Sequence, residues 1–337
     1  IINALQTYPK DIAEIIFSKS QVLPRNGQLS IAITKNGKTN FYGVIRVNDS
    51  IKPIENHSKI FEIGSLTKVF TSTVLASLSE DEKIKLSDNI NSYYPFRFHD
   101  NTTISFESLA NHTSGLPRLP ENLDVSNESN PYKNYGKNEL ESYLKNMLKL
   151  ENKPVKSYSY SNLGAGLLGY TLGLSQKTSF QNLLQKKVLD KYKMSNTFTS
   201  SQNLGNKLVK GLSENGNMVS NWDFVVLFGA GGILSTVEDL SKFANAQFNP
   251  ENKELALTRK PTFEINKNMK IGLGWHILKS KTDKDIIWHN GGTGGYSSSM
   301  AIVEDEKIAV IILSNVSEIN QNIDNLCFEL IKNIEEK

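Results

Sequence analysis

The chain has 337 residues, 38% of them hydrophobic and 22% charged, with a net charge of +3 and both signs interspersed. That length carries one large domain or two intimate ones, and no basic patch with interleaved aromatics marks a nucleic-acid partner. A single cysteine, Cys327, excludes an intrachain disulfide, and no run of 18 apolar residues offers a membrane span.

The chain opens on Ile1 rather than methionine, which reads as a trimmed start; a removed signal peptide would leave no trace. Residues 3–19 place Leu5, Ile12, Ile15 and Ile16 at helical period and predict an N-terminal helix. Residues 28–46 predict a hairpin: Leu29, Ile31 and Ile33 alternate, Asn36-Gly37 supplies the turn, and Phe41, Gly43 and Ile45 continue. Near the other end, Ile286–His289, Ser297–Val303 and Ile308–Ser314 read as strands, the last two joined by the charged turn 304–307. A helix from about Ser317 closes the chain, with Cys327 as a small buried residue of its apolar face. The middle is mostly helical, with loops at 115–136 and 195–222. The economical arrangement is one antiparallel sheet built from both ends, covered by the terminal helices, with a helical region inserted. The expected division is 1–62 with about 225–337 for the sheet domain, and about 63–224 for the helical region.

Three segments carry chemistry. The first is Phe61–Ala76, where Ser65 and Lys68 stand three apart at the start of a buried helix whose Val69, Phe70, Val74, Leu75 and Leu78 form a wide apolar face. Residues i and i+3 share a helix face, so the amine can reach the hydroxyl, a weak nucleophile until a base takes its proton. Alone, the same spacing also describes a helix cap beside a solvated lysine. The second is Tyr158–Tyr170. Tyr160 can serve as a base only if its pKa of about 10 is lowered, which an adjacent ammonium does; Asn162 can donate to a carbonyl and accept from an amide. A core aromatic and a helix cap would look the same. Gly164-Ala-Gly-Leu-Leu-Gly169 formally fits a dinucleotide fingerprint, but no apolar strand precedes it, and glycines for close helix packing explain it better. The third is Trp288–Ser298, where His289 can bind a carboxylate or shuttle a proton, and Gly291 and Gly292 let backbone N–H groups approach an oxyanion. The scattered His57, His99 and His276 lack metal-ligand spacing, and no G-x-S-x-G elbow exists.

In this order the three segments resemble the serine β-lactamase superfamily, in particular its class C β-lactamases, serine D-Ala-D-Ala carboxypeptidases, D-aminopeptidases and related esterases. Leu86-Ser-Asp88 with Tyr94-Pro95, Leu109–Pro117, Gly231–Thr236 with Asp239, and Gly272–Trp275 extend the resemblance over nearly the whole chain. It implies an α/β (α+β) fold of the β-lactamase/transpeptidase type, with the active site between sheet and helical region and no cofactor or metal. It also implies Ser65 as acylated nucleophile, Lys68 as its partner and Tyr160 as general base. Asn162, His289 and Gly291 would bind substrate, and the N–H groups of Ser65 and Gly292 would form the oxyanion hole. Which of Lys68 and Tyr160 holds the proton at each step is open at this level. The implied substrates are peptidoglycan stem peptides, β-lactams or small esters, and the implied setting is periplasmic or secreted. His289 stands where class C enzymes usually carry lysine, and Asn290 where they carry threonine, which weakens a dedicated β-lactamase reading and resembles the peptidase and esterase members. His112 is expected to be structural. The competing expectation is a non-catalytic or stalling penicillin- or peptidoglycan-binding sensor of the same fold.

Overall fold

The structure is a computed structural model describing residues 1–337. Its centre is the antiparallel run Gln28–Lys35, Ile308–Ser314, Ser297–Val303 and Asp285–Gly292. Almost every residue in the first three is buried, because both faces of the sheet are covered. Successive side chains point to opposite faces. Ala309, Ile311 and Leu313 therefore join the larger core, under the helical region, while Ile308, Val310 and Ile312 join a second core with the terminal helices. Those helices are Lys10–Ser20 and Asn320–Glu335, and Cys327 is fully buried in the latter.

The hairpin after Gln28–Lys35 turns at Asn36 and Gly37, both at positive φ, as a two-residue turn between twisted strands requires. The predicted continuation to residue 46 divides into Lys38–Phe41 and Val44–Val47, both paired with Gln28–Lys35. The N-terminal helix is shorter than expected. Residues Ile2–Asn3 instead form a strand parallel to Ser50–Pro53, so the eleven-stranded sheet is not wholly antiparallel. Met269–Ile271, Phe263–Asn266 and His276–Lys279 extend the sheet on its other side.

Two helices lie at the heart of the molecule. Thr67–Glu80 is buried on every side from residue 67 to 76, polar side chains included: Thr71 and Thr73 satisfy their hydroxyls on the helix's own carbonyls of Thr67 and Val69. The α-helix does not begin at Ser65 as expected; Gly64–Leu66 forms a 3-10 turn ahead of it. Asn162–Ser175 carries the glycine pattern inside a helix, with no strand before it. A Cβ on Gly166 would come within 2.9 Å of Leu227 Cα, and one on Gly169 within 3.1 Å of Gly229 Cα. The glycines therefore serve close backbone packing against Val225–Ala230.

Candidate active site

Ser65 sits in the 3-10 turn Gly64–Leu66, whose leading N–H groups have no acceptor within the helix. The turn lies flat against the end of Asp285–Gly292. Gly64, at φ 55°, would place a Cβ 2.7 Å from Gly292 N, and Gly291 would place one 2.6 Å from Ser65 N. Only glycine permits this approach from either side. Ser298 Oγ donates to Ile63 O at 2.7 Å and Asn320 Nδ2 donates to Gly291 O at 2.7 Å, fixing turn and strand end together.

One turn on, Lys68 reaches three oxygens: Ser65 Oγ at 2.8 Å, Asn162 Oδ1 at 2.7 Å and Ala230 O at 2.7 Å. The amine is fully buried and has no carboxylate partner. Desolvation holds its pKa well below the usual 10.5, and the Arg118 charge adds to the depression. The Ala230 carbonyl is presented by a segment clamped to the same helix: Thr71 Oγ1 donates to Gly229 O at 2.8 Å, and Thr67 Oγ1 accepts from Ile233 N at 3.1 Å. Gly274 brings the 272–275 segment onto the other flank, where a Cβ would lie 3.1 Å from Lys68 O.

Tyr160 and Asn162 are delivered by the approach to helix Asn162–Ser175. Ser161 caps that helix, accepting from Gly164 N at 2.8 Å and donating to Pro117 O at 2.6 Å. His112 holds the preceding strand of chain from both ends: its carbonyl accepts from Ser159 N at 2.8 Å and its Nδ1 accepts from Ser161 N at 3.0 Å. Its ring packs 4.5 Å from that of Tyr160. Lys68 Nζ lies 4.8 Å from the Tyr160 ring centre. Burial raises the Tyr160 pKa, the opposite direction to the lowering expected from an adjacent ammonium; the Tyr158 and Tyr132 phenols add to the rise, and the Ser65 hydroxyl and the Arg118 charge oppose it only in part.

His289 lies on strand Asp285–Gly292 and is 1% exposed. Its Nδ1 is 2.6 Å from Asn290 O, which can only accept, so the proton sits on Nδ1. Its Nε2 is buried with no partner. Desolvation, reinforced by His276 and Lys68, keeps the ring neutral. His276, whose ring centre is 5.1 Å away, shares a 2.7 Å hydrogen bond between its Nε2 and the Tyr158 hydroxyl.

Ser65, Tyr160, Asn162, His289, Gly291 and Gly292 all line one cleft of about 580 Å³, with Lys68 directly beneath Ser65. The cleft has walls that the three motifs did not announce. Tyr132 stacks on Phe224 at 4.7 Å and 16°, with Trp222 edge-on to Tyr132 at 5.9 Å. Arg118 and His276 complete it. Arg118 directly follows the Leu109–Pro117 segment, and proximity to that landmark was the only signal for it.

A family model described as Beta-lactamase matches residues 25–324. A Pseudomonas fluorescens protein named Beta-lactamase is 27% identical, over 90% of this chain and 94% of its own length. Protein flp of Staphylococcus aureus (strain N315) is 24% identical over 86% of this chain, which spans 59% of flp. Among solved structures, a class C β-lactamase from Rhodobacter sphaeroides superposes with a TM-score of 0.82 at 19% identity, covering 97% of this chain and 99% of that one. A β-lactamase/D-alanine carboxypeptidase from Pseudomonas syringae gives 0.79 at 20% identity, covering 96% and 99%. The fold is that of the β-lactamase/transpeptidase group.

Proposed function

The chain belongs to the β-lactamase family and is a serine hydrolase of that fold, and from this premise we propose that it acts through an acyl-enzyme on Ser65. The substrates proposed are D-amino acid peptides of the D-Ala-D-Ala carboxypeptidase kind, with β-lactams or small esters also taken. A periplasmic or secreted setting, where such peptides occur, belongs to the same proposal.

The observation that carries this reading is the set of three oxygens around Lys68 Nζ. Ala230 O and Asn162 Oδ1 are carbonyl oxygens and can only accept. A neutral amine has two hydrogens and one lone pair. Spending the hydrogens on those two carbonyls turns the lone pair to the third neighbour, Ser65 Oγ at 2.8 Å. Burial lowers the amine's pKa and so favours the neutral form. Lys68 is thus set to take the Ser65 proton as Oγ attacks the substrate carbonyl. The sequence expectation gave this step to Tyr160; the raised phenol pKa supports instead a neutral relay that passes a proton to the leaving group. Developing negative charge on the carbonyl oxygen falls to the Ser65 and Gly292 N–H groups, each donor worth about 3–4 kcal/mol of barrier. In deacylation the same groups would work in reverse on a water molecule. The neutral imidazole of His289, in place of an ammonium, favours the peptidase and esterase side over a dedicated β-lactamase.

Mass spectrometry of the intact protein after incubation with penicillin, and separately with a D-Ala-D-Ala peptide, tests the proposal. A Ser65-linked adduct with at least one donor, absent in Ser65→Ala, is expected. Neither adduct nor burst with any donor, or undiminished turnover in Ser65→Ala, would overturn it. An adduct that forms and persists without product would mark a stalling sensor.

A further inference from the structure

Among the basic groups around the cleft, one remains available as a charge. Lys68 is committed to three oxygens. His289 presents a buried, partnerless Nε2, an acceptor rather than a cation. His276 and His112 are buried, each with a ring nitrogen already hydrogen-bonded. Arg118 differs from all of these. Its guanidinium is exposed on the cleft wall and enters no ion pair of the chain. Only its backbone carbonyl is engaged, accepting from Leu163 N at 3.0 Å. Its Cζ stands 5.2 Å from the centre of the Tyr160 ring, the same ring that Lys68 Nζ approaches to 4.8 Å. Its field is felt across the site, at Lys68, His112, Tyr132, Tyr158 and Tyr160. The cleft's one carboxylate, Glu318, belongs to the turn ahead of the C-terminal helix.

We propose that Arg118 is the residue that binds the substrate's carboxylate, and that this carboxylate is borne by the leaving group. The inference rests on the acyl-enzyme reading above. In that reading the Ser65 Oγ–carbonyl carbon bond forms and the bond to the leaving nitrogen or oxygen breaks. The Ser65 proton travels by Lys68 and Tyr160 to the leaving atom, which must therefore lie at the Tyr160 phenol. A carboxylate one carbon away from that atom comes under the guanidinium poised over the same ring. Guanidinium and carboxylate form charge-assisted, often bidentate bonds. The substrate class is an acylated 2-amino or 2-hydroxy acid with a free carboxylate, with the anion bound on the Tyr160 side of the cleft and not at His289.

Two donors with the same acyl group test this, one ending in a free 2-hydroxy acid and the other in its methyl ester. Wild type, Arg118→Gln, Arg118→Lys and His289→Gln are compared by kcat/KM. Where a donor turns over too slowly, its Kd for Ser65→Ala and for the double variants reads the same ratio. Arg118→Gln is expected to lose about 10- to 100-fold on the acid, the range of a hydrogen bond to a charged group, while changing the ester about twofold or less. Arg118→Lys should restore part of the loss, and added salt should shrink the wild-type preference for the acid. Equal effects of Arg118→Gln on both donors, or a preference abolished by His289→Gln alone, would overturn the assignment. Activity surviving in Ser65→Ala would instead remove the acyl-enzyme reading, whatever Arg118 does.

Discussion

Replacing Gly291 by alanine probes how the oxyanion hole is built. The added methyl would meet Ile63 O at 2.3 Å, Ser65 N at 2.6 Å and Ser298 Oγ at 2.7 Å. Two of these are backbone atoms, which no side-chain rotation can move. Ordinary contact begins near 3.4 Å, so strand and turn must part by on the order of 1 Å. That separation moves the proposed donors, Ser65 N–H and Gly292 N–H, relative to each other. Losing one well-placed donor costs about 10²–10³ in rate, and overpacking costs about 1–3 kcal/mol of stability. The expected outcome is an acylation rate at least about 100-fold lower, read as the burst with a chromogenic ester, in a protein that still unfolds cooperatively. Gly136→Ala is the control: it lies outside the cleft, and its Cβ would meet only the Glu139 side chain, at 3.3 Å. If Gly291→Ala keeps more than about a tenth of the wild-type acylation rate, the claim that this contact sets the donors fails.

Three further outcomes follow from the same geometry. Lys68→Met should slow adduct formation by about 10²–10⁴; in the wild type, kcat/KM should rise with pH along an acid limb whose midpoint lies below the 10.5 usual for lysine, because the neutral amine accumulates above its depressed pKa. The same limb persisting in the residual activity of Lys68→Met would assign it to another group. His276 has its pKa lowered by burial from 6.5 to about 4, so as pH falls the unfolded chain takes this proton first; the stability involved is intact above about pH 6.5 and is lost towards pH 4, to roughly 3 kcal/mol. Thermal unfolding of His276→Gln should show a shallower decline across that window, and a decline parallel to wild type would refute the assignment. Gly166→Ala should lower the melting temperature, by about 1–3 kcal/mol of overpacking against Leu227, although alanine is the better helix former by about 1 kcal/mol; a rise would mean that the helix contact yields easily.

What could be read in the sequence depended on how local its cause was. The strands Ser297–Val303 and Ile308–Ser314 emerged with their observed bounds because the apolar runs Met300–Val303 and Ile308–Leu313 flank one charged turn at 304–307. The short outer strands Ser50–Pro53 and Met269–Ile271, each one in from an edge of the sheet, did not, being three or four residues long and largely not buried. Ser65 and Lys68 were legible as a pair because helix geometry fixes i and i+3. Ala230 O was not, since a backbone carbonyl leaves no trace in the residue type. Tyr160 lines the cleft, but the direction of its pKa depends on burial, to which residues as distant in sequence as His112 contribute.

This division explains the segments that bear landmarks yet touch no reacting atom. Gly231–Thr236 and Gly272–Trp275 press against the helix that begins at Thr67, with Thr67 and Gly274 making the approach possible. On the proposed mechanism their service is to keep water from Lys68. An ammonium in water would hold its third proton and donate to Ser65 Oγ; burial lowers the Lys68 pKa and so favours the form that, in the proposed mechanism, offers Ser65 a lone pair. On the proposed mechanism the nucleophile depends on the packing of the whole helical core, and a substitution that wets the floor of the cleft, such as a smaller residue for Thr71 where it bonds Gly229 O, is expected to lower the acylation rate without approaching the substrate.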